Sequence, residues 1–164
     1  MINDRINKLV SKFKKYNIDG YIIPKNNEFF SEYAANDRLK TISNFSGSAG
    51  YSIILKKKNY LFVDGRYTIQ AKKEAGKNFQ IIDFRKIINC NLFKNLTIGF
   101  DPKFFTSIQI KKFFYNNNKV KSIESNLIDQ IHKNKVKSSK PFFSLKNKIV
   151  GESYKNKITK IYQN

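Results

Sequence analysis

The sequence predicts a layered α/β domain in which a mixed β-sheet is flanked by helices. Stretches with helical periodicity alternate along the chain with short apolar runs that end at Gly, Pro or Asp. The chain has 164 residues, of which 40% are hydrophobic and 15 are Phe, so it has enough apolar material for one packed core. Because strands and helices alternate, we expect them to form one layered domain.

The first unit is a helix followed by a strand. Residues 4–16 carry apolar side chains at three- and four-residue spacing, with Asn3 or Asp4 as the expected N-cap and Asn17 near the end of the helix. The apolar run 20–24, which a proline closes, predicts a buried strand that leads into a polar connecting stretch.

A hairpin and a helix are predicted next. A loop of small residues, 44–50, leads into the apolar run 51–55, and the lysine-rich turn 56–59 joins that run to a second one, 60–63. The helical pattern of residues 66–75 ends at the following glycine.

The second half of the chain continues the alternation of strands and helices. A helix that begins at Phe104 or Thr106 and ends at Tyr115 is expected to bury Ile108 together with the two phenylalanines that follow it. The other predicted elements are the strands 79–84, 96–100 and 119–123 and the helix 126–132.

The chain is predicted to contain one domain and the beginning of another. Residues 1–133 form the predicted domain, residues 134–150 are an exit linker whose first part is rich in Lys and Ser, and residues 151–164 start a truncated second domain. The last segment is amphipathic, but nothing follows for its apolar side to cover. We therefore expect that the natural polypeptide, or an ancestor of it, continues.

The counts of cysteine and histidine exclude several classes of site. Cys90 and His132 are the only residues of their types, so intramolecular disulfides, cysteine-based zinc sites and sites with two imidazoles are excluded. We expect Cys90 to be half-buried, His132 to be exposed, and no metal to bind this chain. The absence of an 18-residue apolar run and the charged N-terminus predict a cytoplasmic protein without a spanning helix.

The net charge of +20 has two interpretations. Lysine makes up most of the 32 basic residues, and the four arginines are few for a protein that reads phosphates or bases. Lys, Asn, Ile, Phe and Tyr are encoded by codons rich in A and T, so the base composition of the gene explains much of the charge as a solvated surface. The alternative is a stand-alone basic module that binds RNA or another polyanion, which a steep salt dependence would reveal.

Two short motifs carry candidate chemistry. The small residues of the loop 44–50 allow backbone N–H groups to approach a phosphate, but the loop lacks the Lys-Ser/Thr ending of a P-loop and leads into a strand, which favours a tight turn. We expect no base near its serine hydroxyls. In the Asp64-Gly65-Arg66-Tyr67 segment, Arg66 is either presented at a surface for binding or held in an internal salt bridge behind a capping Asp64. A self-contained enzyme that uses Asp64, Arg66 and His132 is a further alternative.

An ordered set of motifs resembles the N-terminal creatinase-like domain of cytosolic Xaa-Pro aminopeptidases, the three-domain members of the pita-bread metallopeptidase family. The likeness is concentrated between residues 4 and 75, and it departs from the family pattern at Asn44, where a glycine is usual, and at Thr68-Ile69, where Phe-Leu is common. The motifs are Tyr21-Ile-Ile-Pro24, Ser31-Glu-Tyr-Ala-Ala-Asn-Asp-Arg38, Asn44-Phe-Ser-Gly-Ser-Ala-Gly50, Val63-Asp-Gly-Arg-Tyr67 and Gln70-Ala71.

The resemblance implies a ribonuclease H-like fold and a non-catalytic role. In such an enzyme, two manganese ions in a C-terminal domain drive removal of the residue that precedes proline. The N-terminal domain walls the substrate cleft and contributes to assembly, which implies a homodimer and a peptide substrate with proline in its second position. Arg66 is the implied substrate-binding residue, positioned by Asp64 and Tyr67. No catalytic residue and no metal ligand are implied in this chain, which alone is expected to be inactive.

Overall fold

In the computed structural model, which describes residues 2–33, 36–114, 117–132 and 143–163, six strands form one mixed sheet. The strands are β1 (Gly20–Pro24), β2 (Gly50–Leu55), β3 (Asn59–Val63), β4 (Gln80–Asp83), β5 (Thr97–Phe100) and β6 (Lys119–Ser122). Their order across the sheet is β4-β3-β2-β1-β5-β6. β2 is antiparallel to both of its neighbours, whereas the pairs β1–β5, β3–β4 and β5–β6 are parallel. The carboxyl ends of β1, β3, β4, β5 and β6 therefore meet at one edge of the sheet, which we call the carboxyl edge.

Helices cover both faces of the sheet. The α-helices are α1 (Ile2–Ser11), α2 (Phe13–Tyr16), α3 (Arg38–Ser43), α4 (Thr68–Ala75), α5 (Ser107–Phe114), α6 (Leu127–Ile131), α7 (Asn147–Val150) and α8 (Tyr154–Gln163). Three short 3-10 helices span Gly65–Tyr67, Phe84–Ile87 and Pro102–Phe104. The predicted fold class is therefore confirmed, and all six predicted strands are present with bounds that differ by at most one residue.

Alternating side chains of the central strands pack into two hydrophobic cores, one on each face of the sheet. Tyr21 and Ile23 of β1 point into the core beneath α1, α3, α4 and α6, whereas Ile22 points into the core beneath α5. β3 divides its side chains in the same way, because successive residues of a strand face opposite sides of the sheet. The sheet is thus buried on both faces and fixes the loops at its carboxyl edge.

The beginning of α1 differs from the prediction. The helix already includes Ile2, so Asn3 and Asp4 lie inside its first turn and the predicted N-cap is wrong. Asp4 instead forms an ion pair with Lys8, four residues later on the same helix face. Asn17 ends the predicted helical segment as expected, in the left-handed conformation that asparagine tolerates well.

The helix α3 lies in a region for which the sequence predicted no helix. Asp37 caps the helix by accepting a hydrogen bond from the backbone N–H of Lys40. The Leu39 and Ile42 side chains of α3 itself are fully buried. A helix of six residues makes fewer than two turns, so the helical spacing of apolar residues does not repeat often enough to be recognised in the sequence.

The predicted burial of Ile108 is wrong, because this side chain is exposed. Phe104 belongs to the preceding 3-10 helix, and α5 begins only at Ser107. This start turns Ile110 and Phe113, three residues apart, toward the sheet and leaves Ile108 on the solvent side.

The C-terminal segment contributes nothing to the two cores. Residues 133–142, which include the first part of the predicted linker, lie outside the described residues. Residues 143–163 contain α7 and α8, and none of them is buried. Within the described part of the chain, no helix has the length and apolar character needed to cross a membrane.

Candidate functional site

Three strands that end at the carboxyl edge finish in the same kind of turn. In each turn, an aspartate after or at the end of the strand accepts a hydrogen bond from the backbone N–H two residues later, at 2.9 to 3.0 Å, and a 3-10 helix follows. The residue that donates this bond is basic in every case. The pairs are Asp64 with Arg66, Asp83 with Arg85, and Asp101 with Lys103.

Arg66 is held by its turn but remains open to solvent. Its Nε donates to Oδ1 of Asp64 at 2.9 Å, and its guanidinium lies 5.6 Å from the ring centroid of Tyr67. The hydrogen bond from Arg66 also lowers the pKa of the Asp64 carboxyl, so the pair stays ionised over the physiological range. In the described structure no hydrogen bond engages the two Nη atoms of Arg66, which leaves donors that face solvent. The salt bridge to Asp64 is therefore confirmed, and since part of the guanidinium is left available, ligand binding by Arg66 stays a prediction.

Tyr67 is fixed from the other side by the loop 44–50. The buried ring of Phe45 contacts Tyr67 edge-on with centroids 5.9 Å apart, and the Tyr67 hydroxyl forms a 2.8 Å hydrogen bond with the hydroxyl of Ser48. At Gly47, a Cβ atom would lie 2.3 Å from the Phe45 ring, so this position requires glycine for packing. The loop is thus built to hold aromatic rings, which favours the structural turn over the phosphate cradle.

The other serine of this loop has a carboxylate beside it, contrary to prediction. Glu74 of α4 accepts from both the backbone N–H and the hydroxyl of Ser46 at 2.8 Å, and Gln70 donates to the same carboxylate. Burial acts to raise the pKa of Glu74, but these hydrogen bonds outweigh it and lower the pKa. A carboxylate with a lowered pKa is a weak base, so the cluster ties α4 to the loop and does not activate the serine.

Glu32, in the β1–α3 connection, contributes to the electrostatics of Arg66. The hydrogen bond and charge of Asp64 raise the pKa of Arg66, and Tyr67 and Glu32 add to this effect. The pKa of Tyr33 is in turn raised by its hydrogen bond to Glu32 and by the charge of that residue. Sequence reasoning assigned no role to Glu32 or Tyr33, although both stand in a motif that carried the family resemblance. We call Asp64, Arg66 and Tyr67, which are joined by direct contacts, the Arg66 site.

A separate cleft of about 760 Å³ opens beside the turn that follows β5. Arg38 crosses it and binds Asp129 through Nε and Nη2 at 2.7 to 3.1 Å, and its guanidinium stacks 4.6 Å from the ring centroid of Phe104. Asp101 accepts a hydrogen bond from Asn126 at 3.0 Å. Arg38, Asp101 and Asp129 of the cleft therefore have partners within the domain, and these contacts fasten α3 and α6 to the sheet.

The remaining sequence-predicted residues lie apart from the Arg66 site. Cys90 is fully buried rather than half-buried, and burial raises the pKa of its thiol. His132 is exposed, as expected, directly after α6, and no described contact joins it to Asp64 or Arg66. Among the described residues, no three His, Cys, Asp or Glu side chains lie close enough together to hold a metal ion. The described side chains therefore do not fit the dinuclear metal centre that the family resemblance implies for a complete enzyme.

Comparison with known proteins gives a consistent result. Residues 5–131 match the family described as Creatinase/Prolidase N-terminal domain. Among curated proteins, the chain is 30% identical over 164 residues to Probable Xaa-Pro aminopeptidase P of Coprinopsis cinerea, an alignment that covers 90% of this chain and 26% of that protein. The chain thus spans about a quarter of the length of the curated relatives that it matches.

Solved structures share the fold. One is an X-prolyl aminopeptidase from Caenorhabditis elegans, described as a cytosolic enzyme with a di-nuclear active site. It superposes on this chain with a TM-score of 0.75 at 23% sequence identity, and the superposition covers 99% of this chain and 31% of the Caenorhabditis elegans chain. Another is the N-terminal domain of a cytoplasmic peptidase from Mycobacterium tuberculosis, which superposes with a TM-score of 0.60 at 16% sequence identity. This superposition covers 79% of this chain and 98% of the Mycobacterium tuberculosis chain. At these identities the likeness establishes the architecture of the domain.

Proposed function

The chain belongs to the Creatinase/Prolidase N-terminal domain family, and from that premise we propose that it is the non-catalytic, substrate-gating and assembly domain of an Xaa-Pro aminopeptidase. The catalytic work, removal of the residue before a proline, would be done by a C-terminal domain that this chain lacks. Two manganese ions bound by that domain would activate water for attack on the peptide bond. We further propose that the complete enzyme is a cytoplasmic homodimer.

The domain division rests on two structural comparisons. The single-domain structure from Mycobacterium tuberculosis accounts for 79% of this chain, whereas the longer Caenorhabditis elegans enzyme accounts for 99%. The family match ends at residue 131, and no described residue after 142 is buried. This pattern supports a domain over residues 1–133, a linker over residues 134–150 and the start of a second unit over residues 151–164.

The observation that carries the substrate role is the presentation of Arg66. Its backbone N–H and its Nε are both bound by Asp64, while its two Nη atoms face solvent at the carboxyl edge of the sheet. A planar guanidinium held in this way is suited to a peptide carbonyl or carboxylate, because part of its conformational entropy is already lost before the ligand binds. Arg66 is therefore the proposed substrate-binding residue, and Asp64 and Tyr67 position it.

The first test is the mass of the native protein in cells, detected with an antibody against this chain. Because the chain spans 26% of its Coprinopsis cinerea relative, we expect a species roughly four times heavier than 19.2 kDa. A native species at 19.2 kDa would overturn the proposal that the domain serves an attached catalytic unit.

The second test uses that native enzyme and the variant Arg66→Ala. We expect kcat/KM for a Xaa-Pro peptide to fall about tenfold or more, as for loss of a charged hydrogen bond, while the metal content stays unchanged. Arg85→Ala is the matched control, because Arg85 sits in the same Asp-X-Arg turn on the neighbouring strand. Equal losses for the two variants, or no loss for Arg66→Ala, would refute the role of Arg66.

A further inference from the structure

The edge of the sheet opposite the Arg66 site carries a dense group of lysines. Because β2 is antiparallel to its neighbours, its end lies beside the starts of the other five strands. We call the segments that meet there, residues 14–19, 56–58, 76–79, 91–96 and 117–119, the amino edge. All of its lysines are exposed, and they are Lys14, Lys15, Lys56, Lys57, Lys58, Lys77, Lys94 and Lys119.

Acidic residues are segregated from these lysines. Asp19 is the single acidic residue of the amino edge, whereas the segments at the carboxyl edge, residues 25–37, 64–67, 83–87, 101–106 and 123–126, hold seven acidic and five basic residues. Codons rich in A and T explain how many lysines the chain has, but codon usage does not sort charges between two edges of a sheet. The acidic residues of the carboxyl edge are Glu28, Glu32, Asp37, Asp64, Asp83, Asp101 and Glu124.

Most lysines of the amino edge serve no contact within the described part of the chain. Lys56 forms an ion pair with Asp19 at 3.0 Å, and the Lys15 amine lies 5.5 Å from the ring centroid of Tyr16. No hydrogen bond or ion pair with a described residue engages the side-chain amines of the other six. Like charges without partners repel one another and destabilise the folded chain, so their collection on one surface is expected where an anionic ligand offsets the repulsion.

Hydrogen bonds hold the segments of the amino edge in fixed relative positions. The Asp19 carboxylate accepts from the Lys56 amine and from the backbone N–H of Thr97, both at 3.0 Å, which joins β1 to the β2–β3 turn and to β5. The side chain of Asn118 donates to the carbonyl of Phe93 at 3.2 Å, which joins the start of β6 to the segment before β5. The lysines therefore stand on a preorganised backbone.

The composition of the amino edge indicates the chemistry of its ligand. Lysine is a point charge that suits phosphate groups, whereas arginine is preferred for reading base edges. Among the described residues of the amino edge, Leu92 is the one exposed large apolar side chain, at 39%. The edge therefore offers neither the aromatic rings on which single strands stack nor the apolar side chains that enter a bilayer. These features favour the phosphate backbone of a nucleic acid duplex, bound without regard to sequence.

The amino edge is long enough to follow several phosphates. Neighbouring strands lie about 4.8 Å apart, so six strands span roughly 24 Å. Phosphates on one strand of a duplex recur about every 3.4 Å along the axis, so about seven of them fall within that length. Since a twisted sheet edge does not follow a straight duplex throughout, we expect about four phosphate contacts.

We propose that the amino edge binds the phosphate backbone of duplex nucleic acid, while the carboxyl edge with Arg66 stays open on the other side of the domain. The chain then attaches the protein to a nucleic acid without covering the Arg66 site. This inference goes beyond the proposed function and does not rest on it, because the two surfaces lie at opposite edges of the sheet.

The test is fluorescence anisotropy with labelled RNA and DNA duplexes of about 20 base pairs, titrated with the 164-residue chain. At about 100 mM KCl we expect a Kd of about 10 μM for both duplexes, and a slope of about −4 for log K against log [KCl], because each phosphate contact contributes about −0.9. No binding at about 100 μM protein, or a slope between 0 and about −1, would overturn the inference.

Two matched variants locate the surface. Each removes four positive charges from exposed positions, so the change in net charge is the same. We expect the amino-edge variant to weaken binding about tenfold or more and to reduce the slope to about −2, and the control variant to weaken it less than about threefold. Equal losses would show that net charge alone attracts the duplex and would overturn the assigned surface. The amino-edge variant combines Lys57→Gln, Lys58→Gln, Lys77→Gln and Lys94→Gln. The control variant combines Lys86→Gln, Lys103→Gln, Lys148→Gln and Lys155→Gln.

Competition distinguishes the duplex from other anions. Single-stranded RNA, polyglutamate and vesicles of phosphatidylcholine and phosphatidylserine are each expected to displace the labelled duplex less well than an unlabelled duplex does. A competitor that displaces it more effectively would overturn the duplex assignment.

A third variant separates this inference from the proposed function. Arg66→Ala should leave duplex binding unchanged, whatever its effect on peptide turnover by the native enzyme. If Arg66→Ala weakens duplex binding as much as the amino-edge variant does, the duplex lies at the carboxyl edge and the inference fails. If Arg66→Ala leaves both peptide turnover and duplex binding unchanged, the proposed role of Arg66 fails and the inference stands.

Discussion

The bidentate contact between Arg38 and Asp129 predicts a measurable coupling energy. It joins α3 to α6 across the domain through three N···O contacts of 2.7 to 3.1 Å. The perturbation is a double-mutant cycle with Arg38→Met, which keeps the apolar stem near Phe104, and Asp129→Asn, which keeps the shape of the side chain.

The burial of the two partners sets the size of the effect. The side chain of Arg38 is 14% exposed and that of Asp129 is 39% exposed, so the pair lies between the exposed and the buried limits. Exposed pairs contribute about 0.2–1 kcal/mol, and breaking a buried pair costs about 3–5 kcal/mol. We therefore expect a coupling free energy of about 2 kcal/mol, and a decrease in Tm of about 4–8 °C for Arg38→Met.

The assay is urea unfolding followed by far-UV circular dichroism for the wild type, the two single variants and the double variant. A repeat at about 1 M NaCl should retain at least half of the coupling, because salt screens a partly buried pair poorly. A coupling below about 0.5 kcal/mol would refute the reasoning, since that value is typical of an ion pair in solvent.

Three further predictions follow from packing, titration and burial. Gly47→Ala should lower the free energy of unfolding by about 1–3 kcal/mol, because its Cβ would lie 2.3 Å from a buried ring, whereas Gly65→Ala meets no atom within 4 Å; equal urea midpoints for the two variants would contradict this. The pKa of Asp19 is lowered by a backbone N–H of β5 and by Lys56, so its stabilising contribution is complete above the pKa of an unfolded aspartate and is lost as the pH falls through the folded pKa. Asp19→Asn should therefore narrow the difference in unfolding free energy between pH 7 and pH 3, and an unchanged difference would refute this contribution. Deletion of everything after residue 142 should leave Tm within about 2 °C of the wild type, because no residue of 143–163 is buried, and a larger decrease in thermal melts would show that the segment stabilises the domain.

The sequence was most informative where the pattern of one segment determines its structure. The strand Gly20–Pro24 was predicted with its observed bounds, because an apolar run closed by proline has few other solutions in a buried sheet. The β2–β3 hairpin was also predicted correctly from the lysine-rich turn at residues 56–59 between two apolar runs. By contrast, α3 was missed because its six residues are too few to show a period, and the exposure of Ile108 depends on which residue starts α5.

The candidate site could be predicted only in part. Arg66 and its contact with Asp64 follow from neighbouring positions in a strand-end motif, so they were accessible to sequence reasoning. The influence of Tyr67 on the pKa of Tyr33 could not be predicted in this way, because it depends on the tertiary fold of two segments that are distant in the sequence. The left-handed backbone of Phe30 was also hidden, since nothing about phenylalanine favours that conformation.

The parallel pairing of β1 with β5 has a consequence for the synthesis of the protein. In the folded protein Tyr21 of β1 aligns with Gly99 of β5, 78 residues later in the sequence. The β1 edge that pairs with β5 therefore has no hydrogen-bonding partner until β5 leaves the ribosome, although every residue of β1 is buried in the folded domain. At usual rates of translation this interval lasts about 4 to 16 s. During that time an apolar strand edge is open to wrong pairing, and we expect the nascent chain to need chaperone protection until β5 emerges.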